Sequence, residues 1–416
     1  MRIAIVGTGI SGLACAHLLH RRHDVVVFES DDRTGGHSNT KRVELPDASV
    51  DVDTGFIVYN ERTYPLFTRL LAELGVQTQP SDMSFGVSDA VTGTEWRGTS
   101  LATVFAQPTN ALKPAFWRML ADIARFNRAA LRLLENPPRD SYTLAEMLAE
   151  HRWSRELVDW YLVPIGSSIW SSPPSAFTGI PAVTFARFFE RHGLLRVRDQ
   201  PHWRTVSGGS QRYVQKLLAP LEAEGRVHVS TPVEKVRRHD GGVELVTRYG
   251  PEVFDHVVLA THSDQALALL SDADRLEREV LGQIAYQPNV ATLHTDASLM
   301  PRARRAWASW NYRRPLGGAE RATLTYHMNS LQGIASRAPV LVTLNQPEAV
   351  DPDKVVAHIP YAHPVMDSRT VAAQKRREEL DGHQRTWFCG AYWGYGFHED
   401  GMRSAVETCR KLGVPM

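Results

Sequence analysis

The sequence predicts an α/β fold built from two interleaved domains. The apolar run Ile3–Val6 is followed by a glycine-rich turn, an apolar helical stretch and a second apolar run, Val25–Phe28. This order of strand, turn, helix and strand is typical of a parallel, doubly wound sheet. Further strand-like runs return at residues 227–262 and 388–390, while residues 101–186 are mostly helical in pattern. The sequence therefore predicts a Rossmann-type domain interleaved with an α+β substrate domain that carries helical insertions.

The glycine-rich turn carries a complete G-x-G-x-x-G pattern, Gly7–Gly12. Gly7 permits the tight turn, Gly9 lets a pyrophosphate approach the backbone, and Gly12 lets the helix pack against the strand. Glycines also serve ordinary turns, but here an acid, Glu29, follows in register about 20 residues further on. We therefore expect a dinucleotide, with Glu29 on ribose hydroxyls and the phosphates at the helix N-terminus. The residues predicted to bind it here are Gly7, Gly9, Ile10, Ser11, Gly12, Glu29 and Ser30.

Composition and charge place the chain among ordinary globular proteins. Its 416 residues suit two domains, its 43% hydrophobic and 22% charged residues are usual values, and its net charge is +1. This balance gives no global case for nucleic-acid binding. Cys15, Cys389 and Cys409 form no C-x-x-C pair, which is typical of a reducing compartment. The first strand begins at once and no apolar run reaches transmembrane length, so we expect a cytoplasmic protein.

A long helical block, Leu101–Ala186, follows a predicted helix, Tyr64–Gly75, and a predicted hairpin, Phe85–Gly98. Between Lys113 and Arg132, apolar residues at helical spacing are accompanied by an excess of basic residues. A basic amphipathic helix can lie on an anionic membrane. The alternative is a solvated face over a domain core, which is the commoner case. Peripheral contact with the inner face of the membrane therefore stays open.

The stretch Arg33–Thr40 resembles the R-x-G-G-R-x-x-[ST] motif of the FAD-dependent amine oxidase superfamily, and Asp53–Gly55 resembles the D-x-G that follows it. This group includes monoamine and polyamine oxidases, protoporphyrinogen oxidase and carotenoid desaturases. His37 departs from the motif, because most members carry an arginine there. The resemblance implies a Rossmann-type FAD-binding domain, with NAD as the alternative cofactor. The residues that it adds to the cofactor site are Arg33, Gly35, Gly36, His37, Ser38, Gly55 and Phe56.

Later parts of the chain carry further resemblances to the same family. Gly208–Ser210 resembles the turn before a second FAD-contacting strand, Phe388–Gly390 resembles the strand F-A-G, and Glu399–Met402 resembles the E-G-A helix start. We expect a helix Gly401–Leu412 capped by Asp400, with its free N–H groups facing the flavin pyrimidine ring. The cofactor contacts implied by these segments are Val233, Ala260, Gly390, Asp400, Gly401 and Met402.

The resemblance also divides the chain into two discontinuous domains. Residues 1–60, 200–285 and 385–416 form the predicted FAD-binding domain, and residues 61–199 and 286–384 form the predicted substrate domain. The predicted substrate pocket contains the aromatic residues Tyr59, Trp393, Tyr395 and Phe397, for which ordinary core packing is the alternative. The candidates for acid–base catalysis are His37, Tyr59 and His398. No metal is expected, because the histidines lack H-E-x-x-H or similar spacing.

The resemblance implies a FAD-dependent oxidoreductase that draws electrons from its substrate, since no second fingerprint for a nicotinamide is present. Amine oxidases usually carry a lysine near flavin N5, and Ala291 stands at that position. This difference counts against amine oxidation. The wider pattern also resembles a bacterial subgroup of predicted NAD/FAD-binding proteins that is associated with cyclopropane- and methyl-fatty-acid lipid enzymes.

We therefore predict an enzyme that takes hydride from a hydrophobic substrate and desaturates or isomerises a fatty-acyl chain. The substrate is either a small molecule or an acyl chain linked to a phospholipid. One alternative is an amine or amino-acid oxidase, which the missing lysine disfavours. The other is a non-catalytic, flavin-carrying partner of a lipid-modifying methyltransferase, which turnover of any lipid would disfavour. Nucleic acid is not an expected partner, and the sequence specifies no oligomeric state.

Overall fold

The fold is given by a computed structural model that describes residues 1–139, 141–171, 173, 177–196, 200–317, 321 and 323–416. The strands are β1 (Arg2–Val6), β2 (Asp24–Phe28), β3 (Thr40–Glu44), β4 (Ser49–Asp53), β5 (Tyr59–Asn60), β6 (Thr78–Pro80), β7 (Phe85–Asp89), β8 (Thr94–Arg97), β9 (Trp203–Val206), β10 (Val227–His228), β11 (Val233–His239), β12 (Gly242–Thr247), β13 (Gly250–Phe254), β14 (His256–Leu259), β15 (Tyr286–His294), β16 (Trp310–Arg314), β17 (Leu324–His327), β18 (Leu341–Leu344), β19 (Val355–Pro364) and β20 (Thr386–Phe388).

The α-helices are α1 (Ile10–Leu19), α2 (Pro65–Glu73), α3 (Leu101–Val104), α4 (Pro114–Glu135), α5 (Leu144–Glu150), α6 (Arg155–Leu157), α7 (Val163–Trp170), α8 (Ala182–Arg191), α9 (Gln211–Ala223), α10 (Ser263–Leu269), α11 (Arg275–Leu281), α12 (Met328–Gln332), α13 (Ser368–Gln374), α14 (Arg377–Leu380) and α15 (His398–Lys411). Among the described residues, no helix is both long enough and apolar enough to cross a bilayer.

A parallel sheet in the order β10-β2-β1-β14-β20 runs through the part of the chain predicted to bind the dinucleotide. Its central strands are short apolar runs that are buried on both faces, as parallel strands require. Val6 lies opposite Phe28 on β2 and opposite Leu259 on β14, so the carboxyl ends of these strands meet at one edge. The glycine-rich turn follows β1 at that edge. This arrangement confirms the predicted α/β class with a Rossmann-type domain.

The two faces of the parallel sheet are covered by different elements. Ile3 and Ile5 pack against α1, α2, α9 and α15 on one face, while Ala4 and Val6 pack against β11–β13, α10 and α11 on the other. The three cysteines are all free and buried. Cys15 on α1 lies 3.7 Å from Cys389, measured between the sulfur atoms. Packing of α1 and α15 over one face brings the two ends of the chain together beside the glycine-rich turn.

A second, mixed sheet follows the order β19-β15-β18-β17-β16-β7-β8 within the described residues. The predicted hairpin Phe85–Gly98 forms its antiparallel edge, β7–β8. The long helical block predicted after it consists of α3 to α8, and the apolar faces of α4 to α8 share a cluster built on Phe126, Met147, Ile165 and Phe185. These elements form the α+β half with helical insertions. The boundaries of the two predicted domains stay a prediction.

The C-terminal helix begins three residues before the predicted start. Phe397 has extended backbone and is the N-cap, so His398 is the first helical residue. Asp400 is therefore the third residue of α15, and its carboxylate accepts hydrogen bonds from the backbone N–H of Phe397 (3.1 Å) and Tyr395 (3.0 Å). The predicted start at Gly401 was wrong because an acid can cap a helix from inside its first turn by reaching back to the cap residue.

Candidate active site

The three glycines of the turn after β1 occupy three different environments. Gly7 has φ +97°, and a Cβ placed there would lie 2.8 Å from the carbonyl oxygen of Ala260. A Cβ on Gly12 would lie 2.0 Å from the carbonyl oxygen of Gly7, so this glycine is required for α1 to pack on β1. A Cβ on Gly9 would meet no atom within 4 Å. Two glycines thus serve the fold, and the third faces open space at the N-terminus of α1.

The carboxylate of Glu29 is buried at the end of β2 and faces the glycine-rich turn. It accepts hydrogen bonds from the backbone N–H of Thr8 (2.9 Å), from the Thr8 hydroxyl and from the backbone N–H of Asp31 (3.0 Å). Ser30 donates a further hydrogen bond at 3.2 Å. The segment before the buried Val233 lies alongside, since the N–H of Thr231 donates to the carbonyl oxygen of Glu29 (2.8 Å). Glu29 therefore holds the loops at this edge of the sheet in place.

Two helix N-termini meet beside the open space at Gly9. A Cβ on Gly401 would lie 2.7 Å from Cγ2 of Ile10 and 2.9 Å from the Ser11 hydroxyl oxygen, so the first turns of α15 and α1 are in direct contact. Met402 is fully buried behind this contact. Each helix N-terminus carries a partial positive charge and free N–H groups. Together they favour an anionic or electron-rich group at this position.

The loop that starts at Arg33 closes the same space from another side. A Cβ on Gly36, which has φ +57°, would lie 3.0 Å from the Cα of Gly9. Nη2 of Arg33 donates to the carbonyl oxygen of Gly36 at 2.9 Å. Nη1 of Arg33 is buried and has no hydrogen-bond acceptor within the described part of the chain. A buried guanidinium nitrogen without an acceptor is costly, and a phosphate oxygen would satisfy it.

His37 follows Gly36 and lies in a cluster of aromatic rings. Its ring stacks on Tyr361 with 4.6 Å between ring centroids and meets His363 edge-on at 5.2 Å. Burial lowers the pKa of His37 well below its usual range, so the imidazole is neutral. Its carbonyl oxygen accepts the backbone N–H of Phe56 at 2.8 Å, and a Cβ on Gly55 would collide with that oxygen. The two predicted cofactor segments around His37 and Gly55 are therefore directly joined.

His398, the first residue of α15, is buried in the interior between these segments. Its ring stacks on Phe56 with 3.5 Å between centroids, and its Nε2 is hydrogen-bonded to Tyr213 (2.9 Å) and Ser38 (3.1 Å). Burial lowers the pKa of His398 to about 3, so the ring is neutral at physiological pH. Tyr59 packs nearby against Phe67 at 5.3 Å between centroids. The structure therefore brings His398, Ser38 and Phe56 together in one buried cluster.

A cleft of about 340 Å³ opens at the N-terminus of α15. Its apolar walls are Tyr64, Pro65, Phe188, Tyr395 and Phe397, and the arginines at its rim are Arg62, Arg191 and Arg403. Tyr59 is buried behind Tyr64. Trp393 lies elsewhere, because its indole N–H donates to the Phe388 carbonyl oxygen (2.9 Å) and its ring packs in the cluster on the other face of the parallel sheet. Of the predicted pocket aromatics, the structure brings Tyr395 and Phe397 together.

Three carboxylates line this cleft: Glu190 is ion-paired with Arg196 at 3.4 Å, and the other two are hydrogen-bonded to backbone. Glu399 accepts the N–H groups of Leu66 and Phe67, both at 3.0 Å, and so caps α2. Asp400 caps α15 and also accepts from Nη1 of Arg403 at 3.2 Å. Burial raises the pKa of both acids, and neither is free to pair with a bound cation. The cleft therefore offers an apolar surface with arginines at its rim.

A family comparison decides the class of protein. The family model described as flavin containing amine oxidoreductase matches residues 10–302. The chain belongs to the flavin-containing amine oxidoreductase family. A Mycobacterium tuberculosis protein described as a flavin-containing monoamine oxidase is 28% identical to this chain over 285 residues. That match covers 65% of this chain and 59% of the relative, so the chain spans less than two thirds of the relative's length.

Solved structures of other proteins share the fold of this chain over 99% of its length. The cyclohexylamine oxidase of Brevibacterium oxydans matches with a TM-score of 0.68 and 17% identity, covering 99% of both chains. The CLA-producing fatty acid isomerase of P. acnes matches with a TM-score of 0.66 and 16% identity, covering 99% of this chain and 98% of that one. At such identities the likeness shows the fold, and the lipid-enzyme subgroup stays a prediction.

The cofactor of this chain is FAD, and the geometry at the edge of the parallel sheet fits it. Open space at Gly9, the unsatisfied Nη1 of Arg33 and the two helix N-termini provide for a diphosphate and for the electron-rich part of a flavin. When bound, FAD supplies a two-electron acceptor. Ile10, Ser11, Gly36 and Gly401 lie beside this space, and the role of every predicted cofactor contact stays a prediction. Gly390 belongs to the same surroundings, since its N–H donates to the Ser404 hydroxyl on α15 at 2.9 Å.

Ala291, at the position where the resemblance leads us to expect the family's lysine, lies in the mixed sheet. It is fully buried in an apolar cluster on β15, opposite Ile359 and Leu344 of the neighbouring strands. Within the described residues, no group of three or more histidines, cysteines or acids has the geometry of a metal site. The protein part of the site therefore consists of neutral histidines, tyrosines and hydrogen-bonded acids.

Sequence reasoning missed several residues of this site. His262 and His363 complete the ring cluster around His37, and Tyr213 and Tyr361 hydrogen-bond to site residues. His262 follows β14, and residues just past the carboxyl ends of parallel strands are the usual place for ligand contacts, so that rule could have found it. His363 and Tyr361 lie on β19 in the other sheet, and only the three-dimensional fold reveals them.

Proposed function

We propose that this FAD-dependent oxidoreductase acts on a hydrophobic substrate with an anionic end, namely a fatty-acyl chain that it desaturates or isomerises. The observation that carries this proposal is the cleft at the start of α15. Its walls are aromatic, two of its three carboxylates are engaged in helix caps, the third, Glu190, is ion-paired with Arg196, and its rim carries three arginines. A cationic amine would find no free carboxylate among these lining residues. An acyl chain gains roughly 0.8 kcal/mol for each CH₂ group buried.

The neutral residues around the cleft suit C–H chemistry away from water. A desaturation would remove a hydride, that is, a proton with two electrons, from one carbon of the acyl chain and a proton from the neighbouring carbon, and bound FAD would supply the two-electron acceptor. The two electrons then pass to molecular oxygen or another acceptor. In an isomerisation they return to the substrate at a different carbon. The structural relative from P. acnes is itself described as a fatty acid isomerase, which supports a fold of this kind accommodating an acyl chain.

A surface beside the start of α4 supports contact with an anionic membrane. Leu101, Leu112 and Trp117 are 79%, 83% and 52% exposed, and Lys113 lies between the last two. Trp117 is held in place by Phe105, at 5.4 Å between ring centroids. Exposed large apolar residues next to basic ones are typical of proteins that dock on a bilayer surface. This patch lies N-terminal to Arg125, Arg128 and Arg132 on the same helix.

The arginines further along α4 are less available for contact with a membrane, because some of them bind other groups of the protein. Arg125 is paired with Asp122 and lies over the ring of Trp153 at 4.8 Å, and Arg128 donates to the carbonyl oxygen of Ala124. We therefore assign the bilayer contact to the apolar patch. Lys113 is half-buried and its Nζ donates to Thr94 (3.3 Å) and Asn110 (3.0 Å), so we expect it and the arginines to add long-range attraction. Each basic residue near an anionic surface contributes about 1 kcal/mol.

The test is anaerobic reduction of the bound flavin, followed by its absorbance, with a panel of fatty acids, phospholipids and amines. We expect a desaturated acyl substrate to leave the flavin reduced, an isomerised one to show a shifted double bond without net flavin reduction, and simple amines to do neither. Arg191→Ala should raise the substrate concentration needed for half-reduction about tenfold, because an ionic hydrogen bond is lost. Arg187→Ala, on the same helix outside the cleft lining, is the matched control.

Membrane contact is tested separately by sedimentation with vesicles that contain anionic phospholipid. Trp117→Glu should abolish sedimentation, and Leu316→Glu, a control at an equally exposed leucine (76%) elsewhere, should not. Flavin reduction by amines but by no lipid would replace the proposal with the amine-oxidase alternative. Flavin reduction by lipids without sedimentation of the protein would support the proposed substrate class and contradict the proposed membrane contact.

A further inference from the structure

Three histidines from distant parts of the chain converge beside the cofactor space, and we call them the imidazole cluster: His37, His262 and His363. The ring centroids of His37 and His363 are 5.2 Å apart, and those of His37 and His262 are 6.5 Å apart. Tyr361 stacks on His37 at 4.6 Å, and Tyr286 stacks on His262 at 4.4 Å. Five rings therefore form one continuous wall.

This wall lies at the carboxyl edge of the parallel sheet, where the diphosphate of a dinucleotide binds. His37 directly follows Gly36, whose Cβ would lie 3.0 Å from the Cα of Gly9. His262 directly follows Thr261, whose Cγ2 would lie 3.4 Å from a Cβ on Gly7. The imidazole cluster thus borders the glycine-rich turn from two sides.

One nitrogen of the cluster has an unused hydrogen-bonding position. Nε2 of His37 is buried and has no partner among the described residues. His363 is held by the side-chain amide of Asn289, 2.9 Å from its Nδ1. A buried ring nitrogen without a partner is costly unless a ligand satisfies it. In the resemblance to the R-x-G-G-R-x-x-[ST] motif, His37 stands at the second arginine, a residue that is always charged.

The charged and titratable groups that face the cluster come from every element around it. Arg33 lies on the same loop, His398 begins α15, and Asp264 follows His262. Asp53, at the end of β4, faces Tyr361, but its carboxylate is occupied by Thr40, Ser210 and Gln332. Burial and the neighbouring histidines lower the pKa of His37, and burial lowers that of His363 to about 4. Without ligand, the cluster is therefore uncharged at neutral pH.

We propose that the imidazole cluster binds the diphosphate of FAD in a protonated form, with His37 in the place of the family's arginine, so that FAD binding takes up a proton. A bound diphosphate brings two negative charges next to neutral imidazoles. Opposite charge at close range favours the protonated form of a histidine. The proton comes from solvent and enters the complex with FAD, and it leaves again when FAD dissociates.

The sign of the pH dependence follows directly. If one proton binds together with FAD, the affinity rises as pH falls, by up to tenfold for each pH unit. Between pH 8 and pH 6 the dissociation constant of FAD should therefore fall by as much as about 100-fold. An arginine at residue 37 would remain charged throughout this range and would remove the dependence.

The experiment measures FAD binding to the apoprotein by quenching of flavin fluorescence at pH 6, 7 and 8 and constant ionic strength. Calorimetry in buffers of different ionisation enthalpy counts the protons taken up. For the wild type we expect FAD affinity to depend steeply on pH and binding to take up a proton. FAD should bind His37→Arg tightly and His37→Gln weakly, with an affinity that does not change with pH in either variant. His239→Gln, an exposed histidine on β11, should behave as the wild type.

His363→Gln provides a second route if a substitution at residue 37 disturbs folding, and thermal melting of each apoprotein shows which variants are folded. The His363→Gln substitution should reduce the pH dependence of FAD binding while leaving the glycine-rich turn unchanged. A wild-type dissociation constant that stays the same within twofold from pH 6 to pH 8 would overturn the proposal. Wild-type pH dependence retained in folded His37→Arg would overturn it as well.

Discussion

Replacement of Gly9 by alanine separates the two purposes of the glycine-rich turn. Gly9 is the N-cap of α1 with φ −61° and ψ 173°, a conformation that alanine adopts without strain. The added methyl group would meet no protein atom within 4 Å. Gly12→Ala is the matched opposite, because its methyl group would lie 2.0 Å from the carbonyl oxygen of Gly7. The first change fills ligand space, and the second fills space that the backbone already occupies.

The expected magnitudes differ accordingly. Gly9→Ala should change the free energy of unfolding of the apoprotein by no more than about 1 kcal/mol, since a poorer cap and a less flexible unfolded chain offset each other. It should weaken FAD binding by about 10- to 100-fold, because displacement of the diphosphate loses at least one ionic hydrogen bond of roughly 1.5–3 kcal/mol. Gly12→Ala should lower the free energy of unfolding by about 1–3 kcal/mol or more.

Both quantities are measurable on the same samples. Urea unfolding of the apoprotein gives stability, and quenching of FAD fluorescence gives affinity. If Gly9→Ala destabilised the apoprotein as much as Gly12→Ala does, the open space at Gly9 would be filled by protein and the assignment of the diphosphate to it would be wrong. Unchanged FAD affinity in a folded Gly9→Ala protein would refute the reasoning equally.

Further predictions concern Glu29 and the buried histidines. Glu29→Ala should weaken the binding of FAD and of ADP by a similar 10- to 100-fold, since both ligands share the adenosine half. Replacement of the exposed Glu222 by alanine should leave both affinities unchanged. An effect on FAD binding alone would contradict the ribose assignment. Burial lowers the pKa of His294 to about 4, below the unfolded value of 6.5, so the unfolded state binds the extra proton. The contribution of His294 to the free energy of unfolding is fully present above pH 6.5. It is lost as pH falls towards 4, by up to about 1.4 kcal/mol per pH unit. Urea unfolding of the apoprotein from pH 7 to pH 5 should show this loss, and His294→Gln should make it smaller.

The parts of the fold that could be predicted from sequence are those that local pattern determines. Apolar runs marked the central strands, and the glycines of the first turn sit where their spacing places them, because strand, turn and helix are contiguous. The start of α15 was predicted at Gly401 and lies at His398. The acid at position 400 was expected to precede the helix, whereas hydrogen bonds to Tyr395 and Phe397 show that it caps from within.

The parts of the site that could not be predicted depend on contacts between distant segments. Ser38 and His398 are hydrogen-bonded although they are 360 residues apart in sequence. His363 meets His37 only because β19 of the mixed sheet runs past the edge of the parallel sheet. Trp393 shares its sequence neighbourhood with Tyr395 and Phe397, but a turn directs it to the opposite face. No periodicity or spacing in the chain encodes such placements.

The contact between Gly401 and Ile10 has a consequence for biosynthesis. The glycine-rich turn leaves the ribosome early, while the helix that completes its surroundings is translated only after β14 and β20. A nascent chain that ends before Gly401 has one of the two helix N-termini and cannot assemble the pair. We therefore expect cofactor capture to await translation of α15. For the same reason, proteolytic removal of α15 would release the flavin from a protein whose nucleotide fingerprint is intact.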